Sequence, residues 1–198
     1  MPFSILARHG FVGVTLLNSL KELKILSEKQ VSFFLKNIKT VATEMVVDLN
    51  KTKNNKMRKK KFLSKYGHLR PGTYDIMSKS YDEKSYFNNN TTVKINKKSI
   101  SFRLNAKQKK KIDKILTKNS FKNLSYSQLF RYIYESISAR EYSKFIFTKN
   151  VSNILKVLIK YGENNSINRD KLSFINIENF LNNKITRKKL IYQSGKNY

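Results

Sequence analysis

Cysteine is absent from this 198-residue chain, and with it go disulfides, thiolate metal sites and cysteine nucleophiles. Tryptophan is absent as well, and there are only two histidines, two prolines and six glycines. Two histidines without a thiolate give no basis for a zinc centre, so no metal site is expected. The scattered glycines form no GxGxxG, no GxxxxGK[ST] and no other glycine-rich phosphate loop, so no nucleotide should be held by those means and no cofactor is expected on the chain. Long hydrophobic runs are missing too. The longest uncharged stretch near the start, residues 10–20, follows Arg8 and His9 and is well short of the roughly 20 residues a membrane span needs. No signal peptide, no membrane partner and a cytoplasmic location are the expectations.

Acids are scarce as well: 13 of them face 41 lysines and arginines, for a formal net charge of +28. Such an excess points first to nonspecific polyanion binding, as in a basic nucleic-acid-binding or scaffold protein. Composition weakens that inference. Lysine is spread over nearly every segment, arginine occurs eight times, and asparagine occurs 22 times. An A/T-rich coding sequence produces this mixture whatever the function. The apolar fraction of 39% with 12% aromatics suffices for a real core in a chain of this length.

The periodicity predicts an all-α fold, with at most a short irregular hairpin near 91–104. Residues 3–23 carry a helical stripe (Phe3, Leu6, Val14, Leu17, Leu20) with Ala7, Gly10 and Gly13 on nearly the same face. Small residues there invite a second helix to approach closely, which must offset about 1 kcal/mol per helical glycine. Ser27 and Gln30 have capping-box spacing. One continuous helix is expected after them, along Val31, Phe34, Leu35, Ile38, Val41, Ala42, Met45 and Leu49. Glu44 and Asp48, four apart, read as a solvated edge. Asn105 is a candidate cap for a lysine-covered helix bearing Ile112 and Leu116. Residues 125–161 form a second long helical region, and Asn168 or Ser173 should open short helices. The expected organisation is one helical domain over 1–185, with helical regions 1–86 and 105–185, a flexible connector at 87–104, and a basic tail at 186–198. The hydrophobic start and the indistinct end suggest a piece of a larger fold.

Residues 62–83 concentrate the scarce residue types: Gly67, His68, Arg70, Pro71 and Gly72, then the acids Asp75, Asp82 and Glu83. Gly67 is expected to end a helix in the left-handed conformation. Pro71-Gly72 is expected to centre a type II turn with positive φ at Gly72. His68 has no sequence-level nucleophile and reads as a structural residue of the turn.

In the long region, Tyr126, Phe130, Ile133, Ile137, Val151, Ile154, Leu155 and Leu158 share one apolar face, and Arg140 and Lys144 fall on it. Cations on an apolar stripe admit two readings. A partial helix break at 148–150 would shift the phase and leave them at a core edge, paired with Glu141 or with a distant acid. Alternatively, a guanidinium and an ammonium one turn apart form an anion site suited to a phosphoryl or carboxylate group.

The segments KYGHLRPGTYDI and SYDE, with VATEMVVDLN before them, ILARHGFVGVTLLNSL at the start and AREYSKFIFTKNVSNIL later, resemble the middle region of PEP-utilising phosphotransferases. These are the relatives of phosphoenolpyruvate synthase and pyruvate phosphate dikinase, and the likeness is greatest to the rifampin phosphotransferase type. The motif residues are Tyr66, Gly67, His68, Arg70, Pro71 and Gly72. The resemblance implies a helical fragment of an acceptor domain. In such enzymes an ATP-grasp domain, using ATP and Mg2+, charges a histidine on a swivelling domain that delivers the phosphoryl group to the acceptor. Counterparts of those two domains are missing from this chain, so they are the implied partners, together with an unidentified small-molecule acceptor. By the same resemblance Arg140 and Lys144 match an arginine and lysine near the incoming phosphoryl group. The chain is expected to have no complete catalytic set and no activity alone. A nonfunctional gene remnant is the remaining alternative.

Overall fold

A computed structural model describes residues 2–54, 57–83, 102–176 and 178. Among these the chain is all-α, with seven helices and no strand: α1 (Pro2–Glu22), α2 (Glu28–Lys36), α3 (Val41–Lys53), α4 (Lys59–Tyr66), α5 (Ala106–Lys118), α6 (Tyr126–Asn164) and α7 (Arg169–Ser173). The expected hairpin near 91–104 lies outside the described residues except for 102–104, which are neither helix nor strand. Most of the expected connector at 87–104 and all of the tail at 186–198 also lie outside them. No helix among the described residues is long and apolar enough to cross a membrane.

The chain divides into two compact units, Met1–Asn50 with Thr92–Ile146, and Lys51–Thr91 with Phe147–Tyr198. In the first, Leu17 and Leu20 of α1, Val31 and Phe34 of α2, Ile112 and Leu116 of α5, and Leu129, Ile133 and Ile137 of α6 bury into one apolar cluster. Phe34, Phe102 and Phe130 pack mutually, with ring centroids 5.1–5.4 Å apart. The second unit has a smaller apolar cluster, Ile76, Ile159, Ile167 and Leu172, beside the buried rings of Phe62 and Tyr66, 4.9 Å apart.

The capping box at Ser27 forms as its spacing predicts. Ser27 Oγ accepts the Gln30 N–H at 3.2 Å, and Gln30 Oε1 accepts the Ser27 N–H at 3.0 Å. The single helix expected beyond it does not. It stops at Lys36 and restarts at Val41, because local side chains satisfy the backbone at the break. Asn37 Nδ2 donates to Phe33 O at 2.7 Å, and Thr43 Oγ1 accepts the Thr40 N–H at 3.0 Å. From α6, Tyr134 OH accepts the Lys39 N–H and Ser138 Oγ donates to Lys39 O. Buried Ile38 joins the core through this break.

Three helices end in Schellman motifs, in which the N–H two residues past the cap returns to the carbonyl five residues back. Ile25 N bonds Leu20 O, Phe121 N bonds Leu116 O and Ile167 N bonds Gly162 O, at 2.8–3.0 Å. The left-handed position that glycine usually fills holds Lys24, Ser120 and Ser166, with φ of 54°, 70° and 58°.

Candidate functional site

Arg140 lies where α1 and α6 come closest. A Cβ built on Gly10 would stand 2.7 Å from Arg140 Cδ, and one on Gly13 would stand 2.4 Å from Ser136 Oγ. The small residues of α1 therefore admit α6, as their spacing predicts, and the arginine stem runs over the gap at Gly10. The guanidinium sits over the Phe11 ring, 5.4 Å from its centroid, in a cation–π contact. It donates from Nε (3.0 Å) and Nη2 (2.6 Å) to Glu141 Oε1. The arginine side chain is 28% exposed. Glu141 thus neutralises the charge locally and fixes the plane of the guanidinium. One turn on, Lys144 is exposed. Nearby on the same pair of helices, His9 Nδ1 and Tyr132 OH are hydrogen-bonded at 2.9 Å.

The helix break considered at 148–150 does not occur, since α6 runs from Tyr126 to Asn164. Arg140 reaches a core edge by its own geometry, with its stem packed and its head paired. Sequence reasoning singled out Arg140 and Lys144, and Glu141 as one of two alternative partners. It missed Phe11 as the ring beneath the guanidinium, although Gly10-Phe11 lies beside the small-residue stripe that signals close approach.

In the second unit, the turn-rich segment after α4 folds as a closed loop whose ends meet. Tyr81 N bonds Leu69 O at 2.8 Å and Asp82 N bonds Gly67 O at 3.0 Å. Both glycine expectations fail here, because no described glycine has positive φ. Gly67 caps α4 with φ −59° and ψ −28°. What excludes a side chain is crowding: a Cβ on Gly67 would meet Leu63 O at 2.4 Å and Asp82 Cβ at 3.0 Å. A Cβ on Gly72 would meet Asp75 Cβ at 2.9 Å. The Gly72 N–H donates to Ser78 Oγ at 3.0 Å, a bond that orients the turn without the type II geometry.

Tyr66 and His68 are buried and Pro71 is exposed. Arg70, 7% exposed, ties the loop to α6: Nη1 donates to Ser78 O and Nη2 to Ser152 Oγ, each at 3.0 Å. Among the described residues its Nε has no hydrogen-bond partner. Beyond it, the Ser80 N–H donates to Glu83 Oε2 at 2.7 Å. Ser80 Oγ lies 2.6 Å from Asp82 Oδ1 and 2.8 Å from Glu83 Oε2, and its one proton serves either carboxylate. Lys156 pairs with Asp82, and Arg169 pairs with Glu83. Burial opposes ionisation of Glu83, but the Ser80 and Arg169 hydrogen bonds and the Arg169 charge outweigh it and bring its pKa to about 2. Asp82 is lowered as well, with Lys156 and Ser80 overcoming the effect of burial. This loop is a structural joint, and it leaves its carboxylates satisfied instead of poised for proton transfer.

Asp48, read from sequence as half of a solvated edge, is instead buried, while Glu44 is exposed. Asp48 is also held in an interaction with another group. Among the described residues no group of three or more His, Cys, Asp or Glu could hold a metal ion. No protein-family model, curated protein or solved structure matches the chain.

Proposed function

We propose that this chain is the helical acceptor-holding part of a phosphotransferase of the PEP-utilising kind, working with ATP-grasp and phosphohistidine domains carried elsewhere. The observation that carries this reading is Arg140: a half-buried guanidinium, fixed in plane by Glu141 and Phe11, with Lys144 one helical turn away. The YGH–RPG–SYDE segments and the all-α architecture are consistent with it.

In this reading the chain contributes electrostatics and position. Arg140 orients the acceptor or the incoming phosphoryl group, and Lys144 adds an unburied positive charge against the negative charge of the transferred oxygens. Glu141 holds the guanidinium plane. It cancels part of the charge, so Lys144 supplies most of the net attraction. ATP and Mg2+ are used by the companion domains. The test is incubation of the purified chain with ATP and Mg2+, alone and then with the products of neighbouring reading frames that encode those domains. Phosphoryl transfer to an acceptor is expected only in the mixture, and ATP turnover by the chain alone would contradict the proposal.

A second reading, polyanion binding, is favoured by α5, whose lysines 107, 110, 111, 114 and 118 are all exposed. It predicts affinity for any duplex or single strand that falls steeply with salt. Loss of all binding by ~200 mM salt, with no sequence or structural preference, would reduce it to nonspecific attraction.

A further inference from the structure

In the first unit a cavity of about 440 Å3 is lined by Phe34, Phe102, Tyr126 and Phe130 together with Lys109 and Arg103. Its volume lies within the range of small-molecule pockets. Its chemistry is divided. Three phenylalanine rings in mutual contact give an apolar wall whose ring faces and edges suit another aromatic ring. Lys109 Nζ stands over the Tyr126 ring, 5.2 Å from its centroid, so a cation is held beside the rings instead of extending into solvent.

The electrostatics around Lys109 favour an anion. Lys107, Lys110 and Lys111 flank it on α5, whose only acid is Asp113. Asp113 Oδ1 is occupied, accepting the Tyr126 N–H at 2.7 Å. A neutral apolar ligand would use the wall and leave the cations unused. An inorganic anion would use the cations and leave the wall wet.

We propose that this cavity binds a small planar aromatic anion, with its ring on the phenylalanine wall and its phosphate or carboxylate at Lys109. The site is separate from Arg140, and the proposal does not depend on the phosphotransfer reading.

The experiment titrates the full chain with 2-naphthyl phosphate at ~150 mM salt, where long-range attraction is screened. Cyclohexyl phosphate serves as the charge without the aromatic ring, and 2-naphthol as the ring without the charge. The naphthyl phosphate should bind at least about fivefold more tightly than either. Lys109→Gln should weaken it by about tenfold, and Lys109→Arg should restore most of that. Lys114→Gln, which removes the same charge from the same helix outside the cavity, should leave binding unchanged. Lys109→Met, which removes the charge with a straight, helix-compatible side chain, provides a second charge removal if Lys109→Gln lowers the helical content. No binding, equal affinity for cyclohexyl phosphate, or an equal loss on Lys114→Gln would each overturn the proposal.

Discussion

The first unit hides Ile133 and the second hides Arg70, and these residues show how differently the two units are held. Around Ile133 twelve buried apolar side chains from four helices and their links form one cluster, so stability there rests on area removed from water. Around Arg70 the apolar cluster has four buried members among the described residues, and the loop is held by directional bonds to Ser78 O, Ser152 Oγ, Lys156 and Arg169. An apolar cluster tolerates many side chains of similar volume. A network of single bonds tolerates few, because a partner lost at buried Arg70, Ser80 or Ser152 leaves a buried polar group unsatisfied.

Four substitutions would break or sharpen this contrast. Ile133→Ala removes a fully buried side chain and should cost about 3 kcal/mol, read from the urea midpoint. Arg70→Ala should cost about 2 kcal/mol. Its signature is local, with faster amide exchange in residues 67–83 and little change around Ile133. Gly13→Ala forces Ser136 Oγ away from a contact at 2.4 Å and should cost about 1–2 kcal/mol. Ser166→Gly relieves a left-handed serine at φ 58° and should stabilise the second unit by roughly 1 kcal/mol, the only gain in the series.

A further test is a pH dependence confined to the loop. Glu83 titrates near 4.5 when unfolded and at about 2 when folded. Its contribution is therefore fully present above pH 4.5 and is lost as pH falls through about 2. Amide protection at 67–83 should decline across that window, and Glu83→Gln should flatten the decline. Loss of protection on raising the pH instead would contradict the assignment.

The sequence announced those features whose cause is local and repetitive. The stripes of α1 and α5, the capping box at Ser27, the caps at Asn105 and Asn168 and the small-residue approach at Gly10 and Gly13 all depend on spacing, and spacing is visible in one dimension. Features decided by distant partners were not visible. The break after Lys36 needs Tyr134 and Ser138, about a hundred residues away, to take the Lys39 backbone. The helix ends at Lys24, Ser120 and Ser166 carry no glycine to mark them. Gly67 and Gly72 were right as landmarks and wrong in conformation, because what forbids a side chain is crowding: by Leu63 O and then Asp82 at Gly67, and by Asp75 at Gly72.

The candidate site divides in the same way. Arg140 and Lys144 stood out as cations on an apolar face, and the neighbouring Glu141 was a readable partner. The aromatic cavity was not readable, because Phe34, Phe102 and Phe130 are far apart in sequence and each looks like ordinary core.

Phosphoryl transfer in the mixture with the ATP-grasp and phosphohistidine domains tests the central claim most directly, using 32P-labelled ATP and the chain as wild type, Lys144→Ala and Arg140→Lys. Lys144 is exposed, so its truncation leaves the fold intact, and Arg140→Lys keeps the charge while losing the paired geometry. The account predicts that each variant slows transfer to the acceptor by about a hundredfold while labelling of the phosphohistidine stays at the wild-type rate. Transfer at the wild-type rate in both variants would contradict it.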